Sequence, residues 1–295
     1  MSSRCCSIKS FAKLNLDLRV LHKRTDGFHE LRTIFQTISL HDTVRIELDF
    51  TRRTQIDVSI PIEIVDNIVV RAAKLVLDEL KVKAWVRFFI DKRIPLGAGL
   101  GGGSSNAAAV LLALPALAGK PLPPETLFRF AKSLGSDVPF FLYGGTAAGL
   151  GRGTELYPLP DLPSHHALVV STGIHVSTAE AYRSLERALT SHDDSPILRE
   201  FQTIAWTLNG SRLEQLPLKN DFEEVVFKIH PQLAAVARKL RRLGAKPARM
   251  TGSGSAVFGV FSSTEEVREA ARSFPAARTF AVRFVSRRRY QKAWQ

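Results

Sequence analysis

Apolar and polar side chains alternate along the first part of the chain. Over residues 7–20, Ala12, Leu14, Leu16 and Leu18 fall on one face and Lys13, Asn15 and Asp17 on the other. A period of two predicts a half-buried strand with a solvated polar face. Residues 33–50 read as further strand, with a turn near His41-Asp42. Ile68, Val69, Ala72, Val76 and Leu80 share a helical face, with Asp66 as the expected N-cap. A strand over Ala84–Ile90 follows. Next come a glycine-rich loop, an Ala-rich helix over Ala107–Leu117, and a helix over Pro124–Leu134 closed by Gly135. Thr146–Tyr157 reads as a strand pair broken by glycine. Past residue 163 the pattern gives a strand at 167–171 and a capping box, Ser177-Thr-Ala-Glu180, opening a helix. Helices at 198–208, 220–230 and 232–243 come next. Strands at 247–251, 256–261 and 279–285 and a helix at 264–273 complete the chain. The second half therefore reads as α+β with an antiparallel sheet.

Composition narrows the class. A chain of 295 residues has room for one large domain or two ordinary ones. The prolines of Pro158-Leu-Pro-Asp-Leu-Pro163 mark an edge, so domains of 1–160 and 161–295 are expected. No apolar run approaches about 20 residues, so no helical membrane span is expected. The start, Met1-Ser-Ser-Arg-Cys-Cys, lacks the apolar core of a secretory signal. Cys5 and Cys6 are adjacent, a poor geometry for a bridge, so neither a disulfide framework nor a cysteine metal site is expected. A cytoplasmic location follows as the expectation. The net charge of +13 points to a polyanionic partner, either nucleic acid or a small substrate bearing several phosphates. The basic clusters Arg238-Lys-Leu-Arg-Arg242 and Arg287-Arg-Arg289 also read simply as solvated surface.

The stretch Pro95-Leu-Gly-Ala-Gly-Leu-Gly-Gly-Gly-Ser-Ser105 carries the strongest chemical signal. It lies between a predicted strand and a predicted helix. Glycine lets the backbone approach a ligand closely, and a helix start offers unpaired N–H groups to an anion. Gly97–Gly102 matches G-x-G-x-x-G, but the region about 20 residues on is Lys120-Pro-Leu-Pro-Pro124 and reads as no strand, which argues against a dinucleotide fold. No Lys follows the glycines, so a Walker loop is disfavoured. The protein-kinase motifs are absent as well. A triphosphate loop of another type remains. Ser104 and Ser105 fall where the helix cap is expected, and either hydroxyl is a candidate for Mg²⁺, with Ser105 taken as the metal contact.

Phosphoryl transfer asks for cations on the phosphate oxygens and a carboxylate for the acceptor's proton. Lys13, with Asn15 two residues on, is the candidate cation, although a strand lysine is more often merely solvated. Asp137, between Ser136 and the apolar Val138-Pro-Phe-Phe-Leu142, is the candidate carboxylate. It reads equally as the cap of a short turn near Pro139. Thr251-Gly-Ser-Gly-Ser255 is a hairpin turn or a second anion nest. Asp26-Gly-Phe-His29 offers an aromatic ring and an imidazole suited to a nucleobase.

Taken together these residues resemble the GHMP small-molecule kinases. The three family motifs fall in order: Phe11-Ala-Lys-Leu-Asn-Leu16, residues 95–105, and Met250-Thr-Gly-Ser-Gly-Ser-Ala256. Arg24-Thr-Asp-Gly-Phe-His29, Asp66-Asn-Ile-Val-Val-Arg-Ala-Ala73, Gly101-Gly-Gly-Ser-Ser-Asn-Ala107 and Gly135-Ser-Asp-Val-Pro-Phe-Phe141 extend the match. The resemblance implies a two-domain α+β fold, with a ribosomal-S5-like N-terminal half and a ferredoxin-like C-terminal half. It implies ATP and Mg²⁺ as cofactors. The implied reaction is phosphorylation of the tertiary 2-hydroxyl of a cytidine-diphosphate-linked methylerythritol, in the non-mevalonate route to isoprenoid precursors. By the same resemblance Asp137 is the base and Lys13 the catalytic lysine. Asn67 lies near adenine, and Pro95, Leu96, Gly97, Ala98, Gly99, Leu100, Gly101, Gly102, Gly103, Ser104 and Ser105 wrap the triphosphate. Asn15, Phe28, His29, Thr178, Tyr182, Gly252 and Ser253 contact the substrate, with Phe28 where a Tyr is common. The implied partner is this small molecule, not nucleic acid or membrane, and the oligomeric state stays open.

Overall fold

The structure, a computed structural model, describes residues 3–61, 66–186, 195–208, 210 and 212–294. The alternating segment forms strand β1 (Arg4–Lys23), antiparallel to β2 (His29–Phe50). β2 runs through His41-Asp42 without the expected turn. Phe11 faces His41 while Ala12 faces Ile38, so Ser39 and Leu40 are extra and form a bulge. Asp42 is polar there for a tertiary reason. Its carboxylate accepts from Arg93 N and Ile94 N, both at 2.8 Å, and pairs with Lys92 at 2.6 Å, tying β2 to the segment that enters the glycine loop.

The chain continues through β3 (Gln55–Ser59), α1 (Ile68–Leu80), β4 (Ala84–Asp91), α2 (Gly102–Leu117), α3 (Pro124–Leu134), β5 (Thr146–Gly151) and β6 (Glu155–Pro158). Among the described residues these strands make one sheet of order β3-β4-β2-β5-β6, with β1 paired to β2. Val69 and Val76 of α1, Val110 and Leu111 of α2 and Phe130 of α3 pack on Ile46, Val86 and Phe88 of the sheet. The α1 cap is Asn67, whose side chain accepts from Val69 N at 3.0 Å; Asp66 instead turns the chain at φ 52°. A residue at that φ cannot offer the extended backbone a cap needs.

The second half contains β7 (His166–Ser171), α4 (Thr178–Glu186), α5 (Ser195–Thr207), α6 (Phe222–Ile229), α7 (Pro231–Arg242), β8 (Ala248–Met250), β9 (Val257–Phe261), α8 (Thr264–Arg272), β10 (Arg278–Arg283) and α9 (Arg287–Lys292). Its sheet, β10-β7-β9-β8, is antiparallel throughout, with β7 and β9 central, a ferredoxin-like arrangement. The halves share a core: Leu14, Leu16 and Ile34 pack with Val169, Phe258 and Phe284.

The polar face of β1 is not solvated. Lys13, Asn15, Asp17 and Arg19 are all buried. Arg19 bridges Asp17 at 3.0 Å and Glu200 at 2.7 Å, and Asp17 Oδ1 accepts from Lys219 N at 2.7 Å. Charges at this depth persist only when paired, and here the C-terminal half supplies the partners.

Candidate active site

The glycine loop bridges β4 and α2. Ala98 and Leu100 are buried and anchor it, while Gly97 and Gly99 line a cleft. Gly99 has a φ of 75°, and a Cβ there would lie 2.2 Å from Thr251 O. No other residue fits, because the loop meets the second glycine turn backbone to backbone. Ala256 N donates to Ala98 O at 3.1 Å across the same junction. α2 starts at Gly102 with Gly101 as its cap at φ 71° and no side-chain capping bond. Gly102, Gly103 and Ser104 thus occupy the first turn, where N–H groups have no acceptor within the helix.

This start corrects the expectation for the serines. Neither caps the helix. Ser105 is fully buried and pairs with Ser10 Oγ at 2.8 Å, which also reaches Asn106 Oδ1 at 2.6 Å. The Ser105 hydroxyl is enclosed there, whereas Ser104 lines the cleft. One residue along a helix turns a side chain by about 100°, which separates the two.

β1 passes beside the loop, with Lys13 N donating to Leu100 O at 3.0 Å. Lys13 Nζ donates to Asn15 Oδ1 at 2.6 Å and lies 3.2 Å from Asp137 Oδ2. The Phe35 ring lies under the ammonium, 5.5 Å from it. Asn15 is fixed from every side: its Nδ2 donates to Thr33 Oγ1 at 2.7 Å, and its N–H donates to Thr251 Oγ1 at 3.0 Å. Asp137 follows the α3 cap Gly135 and precedes a 3-10 turn, Pro139–Leu142. Its carboxylate is one-third exposed, whereas Lys13 is buried. The pair therefore joins a fixed cation to a carboxylate with open access to the cleft.

The cleft has a volume of about 870 Å³ and runs from this pair to an aromatic end. There His29 and Tyr182 stack on each other at 5.1 Å and 20°, and Tyr182 meets Phe222 edge-on at 4.8 Å. Burial pushes the Tyr182 phenol up to about 12, and the Asp137 charge adds to it, so the hydroxyl stays protonated at neutral pH. Phe28 is half exposed, and Arg152 lies over its ring at 3.4 Å. Thr178 Oγ1 and Ser253 Oγ pair at 2.9 Å, and Gly252 lines the wall beside them.

Sequence reasoning missed Arg152. It sits at the tip of the β5–β6 hairpin, and its buried Nε has no hydrogen-bond partner. An Arg between two glycines, Gly151 and Gly153, was the available signal. Thr33, Phe35 and His175 also line the cleft without a local motif. Asn67 is not in this cleft. It borders a cavity of about 560 Å³ with Ile56, Val58 and Val70. The start of α1 nonetheless adjoins that of α2, since a Cβ on Gly103 would lie 3.9 Å from Ile68 Cγ2.

A glycine loop closing on a helix start, beside a lysine–carboxylate pair, defines a small-molecule kinase, and the chain belongs to the GHMP kinase family. The models of the GHMP kinase N-terminal and C-terminal domains match residues 67–145 and 197–278. A 4-diphosphocytidyl-2-C-methyl-D-erythritol kinase of Solibacter usitatus is 50% identical over 298 residues, covering 100% of this chain and 93% of that protein. The enzyme of the same name from Geobacillus kaustophilus is 37% identical, covering 96% and 98%. A crystal structure of 4-(cytidine 5'-diphospho)-2C-methyl-D-erythritol kinase superposes with a TM-score of 0.79 at 37% identity, covering 95% of this chain and 99% of that one. Mevalonate kinase of L. major shares the fold alone, with a TM-score of 0.73 at 20% identity, covering 95% and 96%. Among the described residues no helix is long and apolar enough to cross a membrane.

Proposed function

We propose that this kinase transfers the γ-phosphoryl group of ATP to the 2-hydroxyl of 4-diphosphocytidyl-2-C-methyl-D-erythritol, a step in making isoprenoid precursors. The observation that carries the reading is the Lys13–Asp137 pair, 3.2 Å apart, set between the glycine loop and the aromatic end of one cleft. The acceptor hydroxyl has to meet both the triphosphate and a base, and this is where the two ends converge. The full-length relatives that bear the name support the same substrate.

In this mechanism Asp137 takes the proton of the 2-hydroxyl as its oxygen bonds to the γ-phosphorus. The bond to the bridging oxygen breaks and ADP leaves. Lys13, fixed by Asn15, offsets charge on Asp137 and on the transferring group. The first-turn N–H groups of α2 and the loop backbone hold the phosphates, and Asn67 lies on the adenine side. The residues fit Mg²⁺: Ser104, a hydroxyl residue, lines the cleft, and a hard cation that keeps its water and phosphate ligands needs few protein oxygens. When bound, the ion neutralises phosphate charge. At the other end Phe28, His29 and Tyr182 offer the cytosine aromatic faces and ring nitrogens. The Arg152 guanidinium offers donors to the diphosphate, and Thr178, Gly252 and Ser253 line the sugar path. The free thiols Cys5 and Cys6 fit a cytoplasmic setting.

Asp137→Asn keeps the shape and removes the base. Turnover should fall by roughly 10²–10⁴-fold, the usual contribution of a general base. ATP affinity, measured by titration, should hold. Near-wild-type turnover in the variant would falsify the base assignment.

A further inference from the structure

The basic segment Arg287–Lys292 lies beyond the matched family domains and outside the chemistry described so far. After β10 the chain does not end on its own sheet. It crosses back to the N-terminal half, where Val285 N donates to Thr37 O at 2.9 Å and Gln36 Nε2 donates to Val285 O at 3.1 Å. α9 is then pinned there. Arg287 N donates to the Asp161 carboxylate at 2.9 Å, and its guanidinium donates to Thr146 O at 2.5 Å.

The pinned helix delivers one side chain. Tyr290 is fully buried and packs with Phe11 and Val285. Its hydroxyl donates to Phe141 O at 2.5 Å. Its ring covers Gly144, where φ is 63° and a Cβ would lie 2.4 Å from the ring. Phe141 belongs to the 3-10 turn that begins two residues after Asp137. The ring of Phe141 is pressed against the cap of α2: a Cβ on Gly101 would sit 2.8 Å from Phe141 Cζ and 3.2 Å from Lys13 Cγ. Gly101 of the phosphate loop thus lies against both the Phe141 ring and the lysine stem, and the Phe141 carbonyl is held by Tyr290. Gly135 closes α3 on one side of Asp137, and Tyr290 holds the other side.

We propose that Tyr290 is a positioning residue for phosphoryl transfer. Through Phe141 it sets the Asp137 turn against Lys13 and the start of α2. This rests on Asp137 acting as the base. The reacting atoms tolerate little displacement, since an error of about 1 Å costs on the order of 10²-fold in rate.

The test is Tyr290→Phe, which keeps the ring and deletes the bond to Phe141 O. Steady-state constants are measured well below the thermal midpoint, beside Arg287→Ala and Asp137→Asn. The expected result for Tyr290→Phe is a fall in kcat of about 3- to 30-fold, with KM for ATP and for the alcohol within about twofold, the signature of a loss confined to the transition state. Arg287→Ala loosens α9 without touching the hydroxyl and should move kcat in the same direction; it carries the test if Tyr290→Phe does not fold. A kcat within about twofold of wild type in the folded variants, with only the thermal midpoint lowered, would overturn the proposal and leave α9 a structural clasp. If Asp137→Asn stays active, the base assignment fails and this proposal falls with it. If Asp137→Asn is inactive while Tyr290→Phe and Arg287→Ala turn over normally, only the positioning role fails.

Discussion

Lys13 is buried, and its ammonium is bonded to Asn15 and paired with the partly open carboxylate of Asp137. A cation held that way loses little freedom when a phosphate arrives, which is what preorganisation means at this scale. The same logic applies to the backbone at Gly99. An alanine there meets a positive φ and Thr251 O at 2.2 Å. Strain and overpacking together should cost about 2–4 kcal/mol. Denaturant unfolding of Gly99→Ala should show that loss, and ATP titration should show weaker binding, because the two glycine turns can no longer touch. Unchanged stability would mean that the loops have room to separate. Lys13, Asp137 and the glycines were legible in the sequence because each stands in a local pattern. Arg152 was not, because its role comes from lying over Phe28, more than a hundred residues away in the chain. The burial of Ser105 beside the open Ser104 was not legible, because two adjacent hydroxyls at a helix start look alike until the helix phase is known.

At the scale of elements, alternation found β1 but misread its polar side. That face is buried because α5 and the segment entering α6 supply partners to β1: Glu200 pairs with Arg19, Lys219 N donates to Asp17, and Asp221 accepts from Val20 N at 2.8 Å. Burial pushes the carboxyls of Asp17 and Asp221 up, against the opposing pull of Arg19 and the backbone donors. A raised carboxyl binds its proton more tightly in the folded state than in the unfolded one. Its cost is absent below the unfolded value of 3.8 and grows as pH rises through the folded one. Asp221→Asn can still accept from Val20 N and cannot ionise. Its stability relative to wild type should therefore improve between about pH 4 and pH 7. Chemical unfolding of both proteins across that range checks the sign; a difference that does not change with pH, or falls, would contradict it. β3 and α9 had no clear pattern. β3 is a short strand at the edge of its sheet, and α9, Arg-Arg-Arg-Tyr-Gln-Lys, exists because Tyr290 finds a buried seat. The expected turn in β2 was a bulge because Asp42 serves the entry to the glycine loop.

For the whole molecule, the two halves share a core and a cleft. The polar face of β1, the phosphate loop, the 3-10 turn and the second glycine turn converge where the halves meet. Contacts such as Asn15 to Thr251, 236 positions apart, make that convergence. No stretch of sequence announces them; the order of the motifs does. The net charge of +13 suits a reaction between two polyanions, since it raises their local concentration at the protein surface. The central claim is that the cleft selects an alcohol by its cytidine diphosphate end. The direct measurement is kcat/KM for ATP-dependent phosphorylation of 4-diphosphocytidyl-2-C-methyl-D-erythritol, set against the same alcohol bearing only a 4-phosphate and against mevalonate. A preference of at least about 10²-fold for the cytidylylated alcohol is expected, since binding energy from the remote base and diphosphate is realised at the transition state. Equal or better turnover of either rival would contradict it.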